Sequence, residues 1–425
     1  MKIRNDESLK QFIRKELSRD SVTEIPRYEK LYERARTLYG EGDYRLFSAP
    51  GRSELIGNHT DHQLGRVMAA AVNIDSLAWA KKTDKPLIRI DSEGFAIAPV
   101  DLTETAVKAE EKNTTESLIR GMAVIFEEEG YKSGGFDAAV TSEVLPGSGI
   151  SSSASFEILV GEIINHLYND GRIDPVTVAQ IAQKAENRFF GKPCGLMDQC
   201  AIACGGLVYI DFYDPERPEV EKLDFDFGEY GYELVLTDSK ADHSQLSDEY
   251  GRMPAEMKMV ARALGCEVLS RTGMEEFAEK LPELKKQLKN DRALLRAYHF
   301  FTENERVGRA KKCVETKDCA GLLSCIRESG LSSYRYLQNV FVPSAGVSED
   351  YALAIMRSEQ LLGDKGVTRV HGGGLGGTIQ AFVPKGMLEE YAQGMRALFG
   401  EDSVKILQVR RAGGIEIPAV PEADK

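Results

Sequence analysis

Apolar residues return every three to four positions through the first forty residues. Leu9, Phe12, Ile13 and Leu17 form one set; Tyr28, Leu31, Tyr32 and Ala35 form the next. That spacing predicts helices. The pattern then shortens. Arg45 to Ala49 predicts a strand, Val67 to Ala80 is a mostly apolar segment, and Leu87 to Ile90 and Gly135 to Val144 predict further strands. Ser117 to Glu129 is amphipathic with helical spacing, and Phe156, Leu159, Val160, Ile163, Ile164 and Leu167 mark a longer helix. Another helix is predicted over 176–190, ending at Gly191, and strands over 207–212 and 234–238. A charged, helix-rich stretch follows from Asp248 to about Ser333. Val367 to Val370, then HGGGLGG, then TIQAFV predicts strand, turn, strand, and 387–399 a last helix before a frayed PAVPEADK. There is no internal repeat and no low-complexity linker. The irregular alternation predicts an α+β fold rather than a doubly wound sheet.

A chain of 425 residues is long enough for two or three domains. Asp214, Pro215 and Pro218 supply turn chemistry, so a boundary is expected near residue 215, dividing 1–215 from 216–425. Apolar content of 42% and charged content of 28% are ordinary for a soluble globular protein. A net charge of −13 argues against nucleic acid and against an anionic membrane surface as partners. It leaves phosphate ligands open, because local donors decide those. The seven Cys residues do not form a secreted disulfide framework. Cys194, Cys200 and Cys204 lie close together without a His or a second CxxC, which fits buried thiols better than zinc. No apolar run reaches the length of a spanning helix, and MKIRNDESLKQFIRKELSRD lacks the apolar core of a signal peptide. A cytoplasmic location is expected.

Four stretches carry candidate chemistry. In GRSELIGNHTDH, Arg52, Glu54, Asn58, His59, Thr60, Asp61 and His62 crowd around two apolar residues. The density suits a solvated turn or a loop whose polar groups converge on a polyhydroxylated ligand. Gly147-Ser148-Gly149 precedes Ser151, Ser152 and Ser153 at the head of a predicted helix. Glycines let backbone N–H groups approach an anion, and a first helical turn has unpaired N–H groups at the positive end of the dipole. A simple cap needs one serine, so the run points to phosphate. GGGLGG at 372–377 satisfies GxGxxG, but TIQAFV behind it alternates like a strand. A dinucleotide site is therefore excluded, leaving a glycine hairpin against the phosphate site or a plain tight turn. AENRFFGKPCGLMDQ places Glu186 in a helix and Asp198 just beyond it, two carboxylates able to supply a metal ligand and a proton acceptor.

These motifs, in this order, resemble the GHMP kinase superfamily and, within it, the galactokinase family. The family signature reads roughly GRVNLIGEHTDY where this chain has GRSELIGNHTDH. Its serine-rich motif is matched by LPGSGISSSAS, its CGIMDQ by CGLMDQ preceded by AEN, its HSLASSEY by HSQLSDEY, and its GGGFGG by GGGLGG. The resemblance covers about residues 44 to 383. It implies a two-domain GHMP-kinase-like fold with the active site in the interdomain cleft, and ATP-dependent phosphorylation of the anomeric hydroxyl of galactose with Mg²⁺. Carried over residue by residue, Asp198 matches the catalytic Asp near the sugar O1, and Arg52 the Arg that pairs with it. Ser153 and Glu186 match the Mg²⁺ ligands. Gly147, Gly149, Ser151 and Ser152 match the nucleotide-phosphate loop. His59 and Asp61 match sugar-hydroxyl contacts, and Tyr250 the aromatic hydroxyl near the sugar. The chemistry agrees: a loose phosphoryl-transfer transition state needs positioning and charge neutralisation more than a strong base.

The chain departs from the signature at several points. Ser53-Glu54 replaces Val-Asn, Asn58 replaces the Glu that contacts O6 of galactose, His62 replaces Tyr, and His371 replaces Thr. TTESLIRG stands where the family has WxNYxxG, and the single Trp, Trp79, lies elsewhere. An amide both donates and accepts. If Asn58 faces C6, galacturonate becomes an alternative acceptor. A non-catalytic sugar sensor is the reading from another class; the intact Ser151-Ser152-Ser153-Ala154 and Asp198 argue against it.

Overall fold

The structure, a computed structural model, describes residues 3–4, 6–144, 149–192, 194–241, 247–341 and 349–421. Helices Glu7–Glu16 (α1) and Ser21–Tyr39 (α2) begin where the Asp6 and Asp20 side chains accept backbone N–H groups of the first turn. Their apolar face, with Tyr28, Leu31 and Tyr32, packs against Trp79, whose indole N–H donates to the Tyr28 carbonyl at 2.9 Å.

The first sheet is built on two long antiparallel strands, Arg45–Ile56 (β1) and Arg66–Lys82 (β2). Both are buried along nearly their whole length. A strand covered on both faces loses the alternation of a half-solvated one, so 67–80 looked merely apolar in the sequence. Leu87–Ser92 (β3), Val100–Asp101 (β4), Phe136–Ser142 (β5), Leu207–Asp211 (β6) and Glu219–Leu223 (β7) extend the sheet. Residue 215 lies in the β6–β7 connection, and the sheet continues through β7 beyond it. Helices Thr115–Glu128 (α3), Ser152–Tyr168 (α4), Pro175–Ala185 (α5) and Met197–Cys204 (α6) share one apolar core with this sheet.

The second sheet has the order β11-β8-β10-β9 among the described residues, from Tyr232–Asp238 (β8), Val367–Val370 (β9), Thr378–Pro384 (β10) and Val404–Leu407 (β11). β9 and β10 pair antiparallel across the glycine segment, the strand–turn–strand the sequence predicts. The helices of this half are Ser247–Ala263 (α7), Met274–Leu288 (α8), Asp291–Glu315 (α9), Cys319–Ser332 (α10), Asp350–Leu362 (α11) and Leu388–Phe399 (α12); α10, α11 and α12 pack on the sheet, while α7 and α8 pack on α9. The chain finally returns to the first sheet: Ile415–Ile417 (β12) pairs antiparallel with β1 at Leu46↔Ile417. A mixed apolar cluster joins the halves, with Leu55 and Met68 from the first and Leu236, Val307, Leu322 and Phe382 from the second.

Where the polar density of residues 51–56 predicts part of a loop, β1 instead runs through Ile56 with bulges after Pro50 and Glu54. Arg52, Ser53 and Glu54 are strand residues with buried side chains. Polar groups are tolerated inside a sheet when each finds a partner, and these three do. Bulges of this kind re-aim side chains next to functional sites.

Candidate active site

Arg52 projects from β1 towards the N-terminal turn of α6. Its Nε and Nη2 donate to the two carboxylate oxygens of Asp198 at 2.7 and 2.8 Å, and Nη1 donates to the Gly149 carbonyl at 2.5 Å. Ser151, at the N-cap of α4 with φ of 63°, donates its hydroxyl to Asp198 at 2.6 Å. Burial alone would raise the Asp198 pKa. The Arg52 charge, with hydrogen bonds from Arg52 and Ser151, outweighs it and holds the carboxyl below its usual range. Asp198 is thus an ionised acceptor with 27% of its side chain exposed, in contact with a two-pronged cation.

The phosphate motif meets the glycine hairpin here. Gly149 has a φ of +76°, and a Cβ at that position would come within 2.1 Å of the Thr378 hydroxyl. His371, just before the glycines, bonds Thr378 Oγ1 at 2.9 Å and Ser53 Oγ at 3.0 Å. Burial, with Arg52 and Arg369 nearby, holds this imidazole neutral. Ser152 and Ser153 form the first turn of α4 and remain partly exposed. Gly147 and Ser148 lie outside the described residues.

Glu186 opens a π-helical turn, Glu186–Phe190, at the end of α5, and is buried. The Gln199 amide donates to Glu186 at 2.9 Å and to Glu157 at 3.0 Å, bridging two buried carboxyl groups. Glu157 stands one turn beyond Ser153 on the same face of α4. Burial and the neighbouring Glu186 push its pKa well above the usual range. Glu157 Oε1 and Gln199 Oε1 are buried with no hydrogen-bond partner. Surplus oxygen acceptors beside a buried carboxylate suit a hard cation. Among the described residues no group of three or more His, Cys, Asp or Glu could hold a metal.

The remaining site residues come from the segment after β1. Thr60 ties it together, donating to Gly57 O at 2.9 Å and Arg66 O at 2.6 Å. Asp61 begins a 3-10 turn and lies against Gly195, where a Cβ would sit 1.8 Å from Asp61 Oδ2. The motif carrying Asp198 and the segment carrying Asp61 therefore touch. His59, with φ of 58°, bonds the Gly373 carbonyl at 3.0 Å through Nε2, and its Nδ1 is buried without a partner. Burial and the neighbouring His62 push its pKa down to about 4. Tyr250 on α7 donates to the Gly374 carbonyl at 2.5 Å, its hydroxyl pushed up to about 12 by burial. His62 is partly exposed, with its ring Nε2 3.7 Å from the Asp61 carboxylate.

Asn58 is 1% exposed and fully engaged by the protein. Its amide N–H groups reach both Glu54 oxygens at 3.1 and 3.2 Å and the Gly372 carbonyl at 2.6 Å. Its carbonyl oxygen accepts from Ser333 at 3.2 Å and Asn339 at 2.7 Å. A side-chain amide has two N–H groups and two lone pairs, and here all are used. Several of these partners escaped sequence reasoning: Ser333, Asn339, Arg369, and below them His299 and Glu303. His299 bonds the Asn58 backbone carbonyl at 2.9 Å, and Glu303 accepts the Gly57 N–H at 2.9 Å. The available signal was a polar stripe, His299, Glu303 and Arg306, on one face of α9.

The site agrees with what the chain is similar to. Residues 117–206 match the N-terminal domain of GHMP kinases, and residues 36–82 match the galactokinase galactose-binding signature. A galactokinase of Clostridium tetani is 30% identical over 354 residues, covering 83% of this chain and 87% of its own. One from Streptomyces coelicolor is 29% identical over 391 residues, covering 92% and 95%. In fold, the chain resembles Lactococcus lactis galactokinase complexed with galactose, with a TM-score of 0.79 at 22% identity, covering 92% of this chain and 99% of that one. Methanococcus jannaschii mevalonate kinase follows at a TM-score of 0.60 and 14% identity, covering 87% and 99%. With this identity over most of both chains, this protein belongs to the galactokinase family.

Proposed function

We propose that this protein transfers the γ-phosphoryl group of ATP to the C1 hydroxyl of galactose, giving galactose 1-phosphate and ADP. The observation that carries the reading is the two-pronged Arg52–Asp198 pair. It stands where the serine-rich helix start, the glycine hairpin and the Asp61 segment meet. The sugar lies against Asp198, Asp61, His59 and Tyr250, with C1 towards Asp198. As O1 attacks the γ-phosphorus and the bond to ADP breaks, the O1 proton passes to the Asp198 carboxylate. Arg52 keeps that carboxylate ionised beforehand and faces the charge developing on the transferring group. Gly149 and Ser151 to Ser153 hold the phosphates at the head of α4, in the loop to which the resemblance also assigns Gly147 and Ser148.

Ser153 and Glu186 would hold Mg²⁺, which when bound neutralises phosphate charge. The galacturonate alternative required a free Asn58 at C6; with every polar atom of that side chain taken, galactose is the acceptor the geometry favours. No helix among the described residues is long and apolar enough to cross a membrane, and a cytoplasmic enzyme acting on small molecules, without nucleic acid or membrane as partner, fits the net charge of −13.

The test is coupled ADP release across galactose, glucose, N-acetylgalactosamine and galacturonate. Galactose should be turned over best. Asp198→Ala should lose at least three decades of kcat while still binding ATP, because the Asp touches the acceptor. Near-normal turnover in that variant, or no turnover of galactose by the wild type, would overturn the assignment.

A further inference from the structure

Glu54 and Asn58 sit four residues apart at the end of β1, and their side chains touch. Glu54 is 2% exposed, and Arg369, on β9, donates to it at 2.9 Å from a side chain that is 0% exposed. Arg369 also donates to the Leu55 carbonyl. One carboxylate and one guanidinium thus balance inside the protein, and the neutral Asn58 amide is the hinge pin between them and three other segments. It fastens the segment 57–61 to Gly372 of the hairpin, to Ser333 at the π-helical turn after α10, and to Asn339. Asn339 in turn bonds the Gly373 carbonyl at 3.1 Å, the atom that also receives His59. The segment so fixed ends at Asp61, against Gly195, three residues before Asp198.

Against the signature GRVNLIGEHTDY, positions 54 and 58 have exchanged types: amide and carboxylate have traded places. Two separate departures in the sequence are one physical change in the structure. We infer that Glu54 and Asn58 form a coupled pair of positioning residues, in which the charge at 54, held by Arg369, allows an uncharged amide at 58 to fix the sugar-contacting segment. A carboxylate at 58 alone would face Glu54 at about 3 Å and the Gly372 carbonyl closer still, with no donor on that side. An amide at 54 alone would leave the buried Arg369 without its counter-charge. Moving the charge from 54 to 58 keeps one negative group in the cluster.

This inference rests on the galactose-kinase reading, and an isosteric exchange tests it apart from that reading. Wild type, Glu54→Gln, Asn58→Asp and the double variant are compared for galactose KM, ATP KM, kcat and Tm. Asn58→Asp should raise galactose KM at least tenfold with ATP KM within about twofold, and the double variant should recover more than half of that loss on a logarithmic scale. The recovery is partial because the Gly372 carbonyl still meets an acceptor. Effects that multiply independently in the double variant, or galactose and ATP KM values that move together, would overturn the inference. If the wild type itself released no ADP with galactose, the functional reading would fail. The Tm values of the same four proteins would still decide the coupling: non-additive shifts support it and additive shifts refute it.

Discussion

Replacing Arg52 with Lys keeps the positive charge and removes the fork. The guanidinium makes three charge-assisted hydrogen bonds, two to Asp198 at 2.7 and 2.8 Å and one to Gly149 O at 2.5 Å. An ammonium on a shorter stem can satisfy one of these directions at a time. Bonds to charged groups contribute about 1.5–3 kcal/mol each. Asp198 is 27% exposed, so water replaces part of what is lost and the lower figure applies. Two bonds at that figure are about 3 kcal/mol, and each 1.36 kcal/mol is a factor of ten. Galactose kcat/KM should therefore fall by about two decades, with the loss mainly in kcat. The acid limb should move as well. The reaction needs the Asp198 carboxylate, which Arg52 holds below its usual pKa against burial. Activity is present above that depressed pKa and disappears as pH falls through it. Weakening the pair lets burial raise the pKa, so the limb shifts to higher pH. ADP formation quantified by chromatography from pH 3 to 8, with circular dichroism to confirm folding, reads both effects. A kcat/KM within about fivefold of wild type and an unmoved acid limb would refute the reasoning.

Three further outcomes are expected. Gly195→Ala places a methyl group 1.8 Å from Asp61 Oδ2, so galactose KM should rise at least tenfold while ATP KM stays close to wild type; steady-state kinetics with each substrate varied will tell. Gly149→Ala combines a φ of +76° with a clash at Thr378, so ATP KM should suffer more than galactose KM in the same assay. His166 should make stability fall in mild alkali. Burial alone would lower its pKa, but Glu162 and Glu416 outweigh burial and raise it to about 9, so its contribution is complete below about pH 6.5 and lost as pH rises through 9. Melting curves from pH 6.5 to 9.5 should lose on the order of 1 kcal/mol, a drop that His166→Gln should flatten.

The sequence was most legible where side chains announce a period or a reactive group. The helices of the first forty residues, the serine-headed α4 and the hairpin around the glycines all appear where spacing put them. Arg52, Asp198 and Ser151 are brought together from positions up to 146 residues apart, and motif order alone groups them. What stayed hidden has one physical character: burial of polar groups. Arg52, Ser53 and Glu54 read as loop because their partners, Asp198, Gln380 and Arg369, lie far along the chain. Asn58 read as a ligand contact for the same reason, since nothing local reveals that Ser333 and Asn339 take its oxygen.

The pairing of β12 with β1 bears on how the chain is made. Residues 45–56 form a central strand whose edge away from β2 is paired at residues 46–48 with residues 415–417, and the guanidinium of Arg410, 0% exposed, reaches Asp75 and Ser48 inside that sheet. While the polypeptide emerges from the ribosome, residues 46–48 of β1 therefore wait, one side unpaired, until residues 415–417 have followed. An open strand edge is a template for other chains, and contacts so distant in sequence form slowly. Nascent protein should lean on chaperones until residues 415–417 have been made, and release before them should yield aggregates rather than a shortened enzyme. Pulse-labelled lysates, with release at codon 405 compared with full length, would show it as a shift from the soluble to the pelleted fraction.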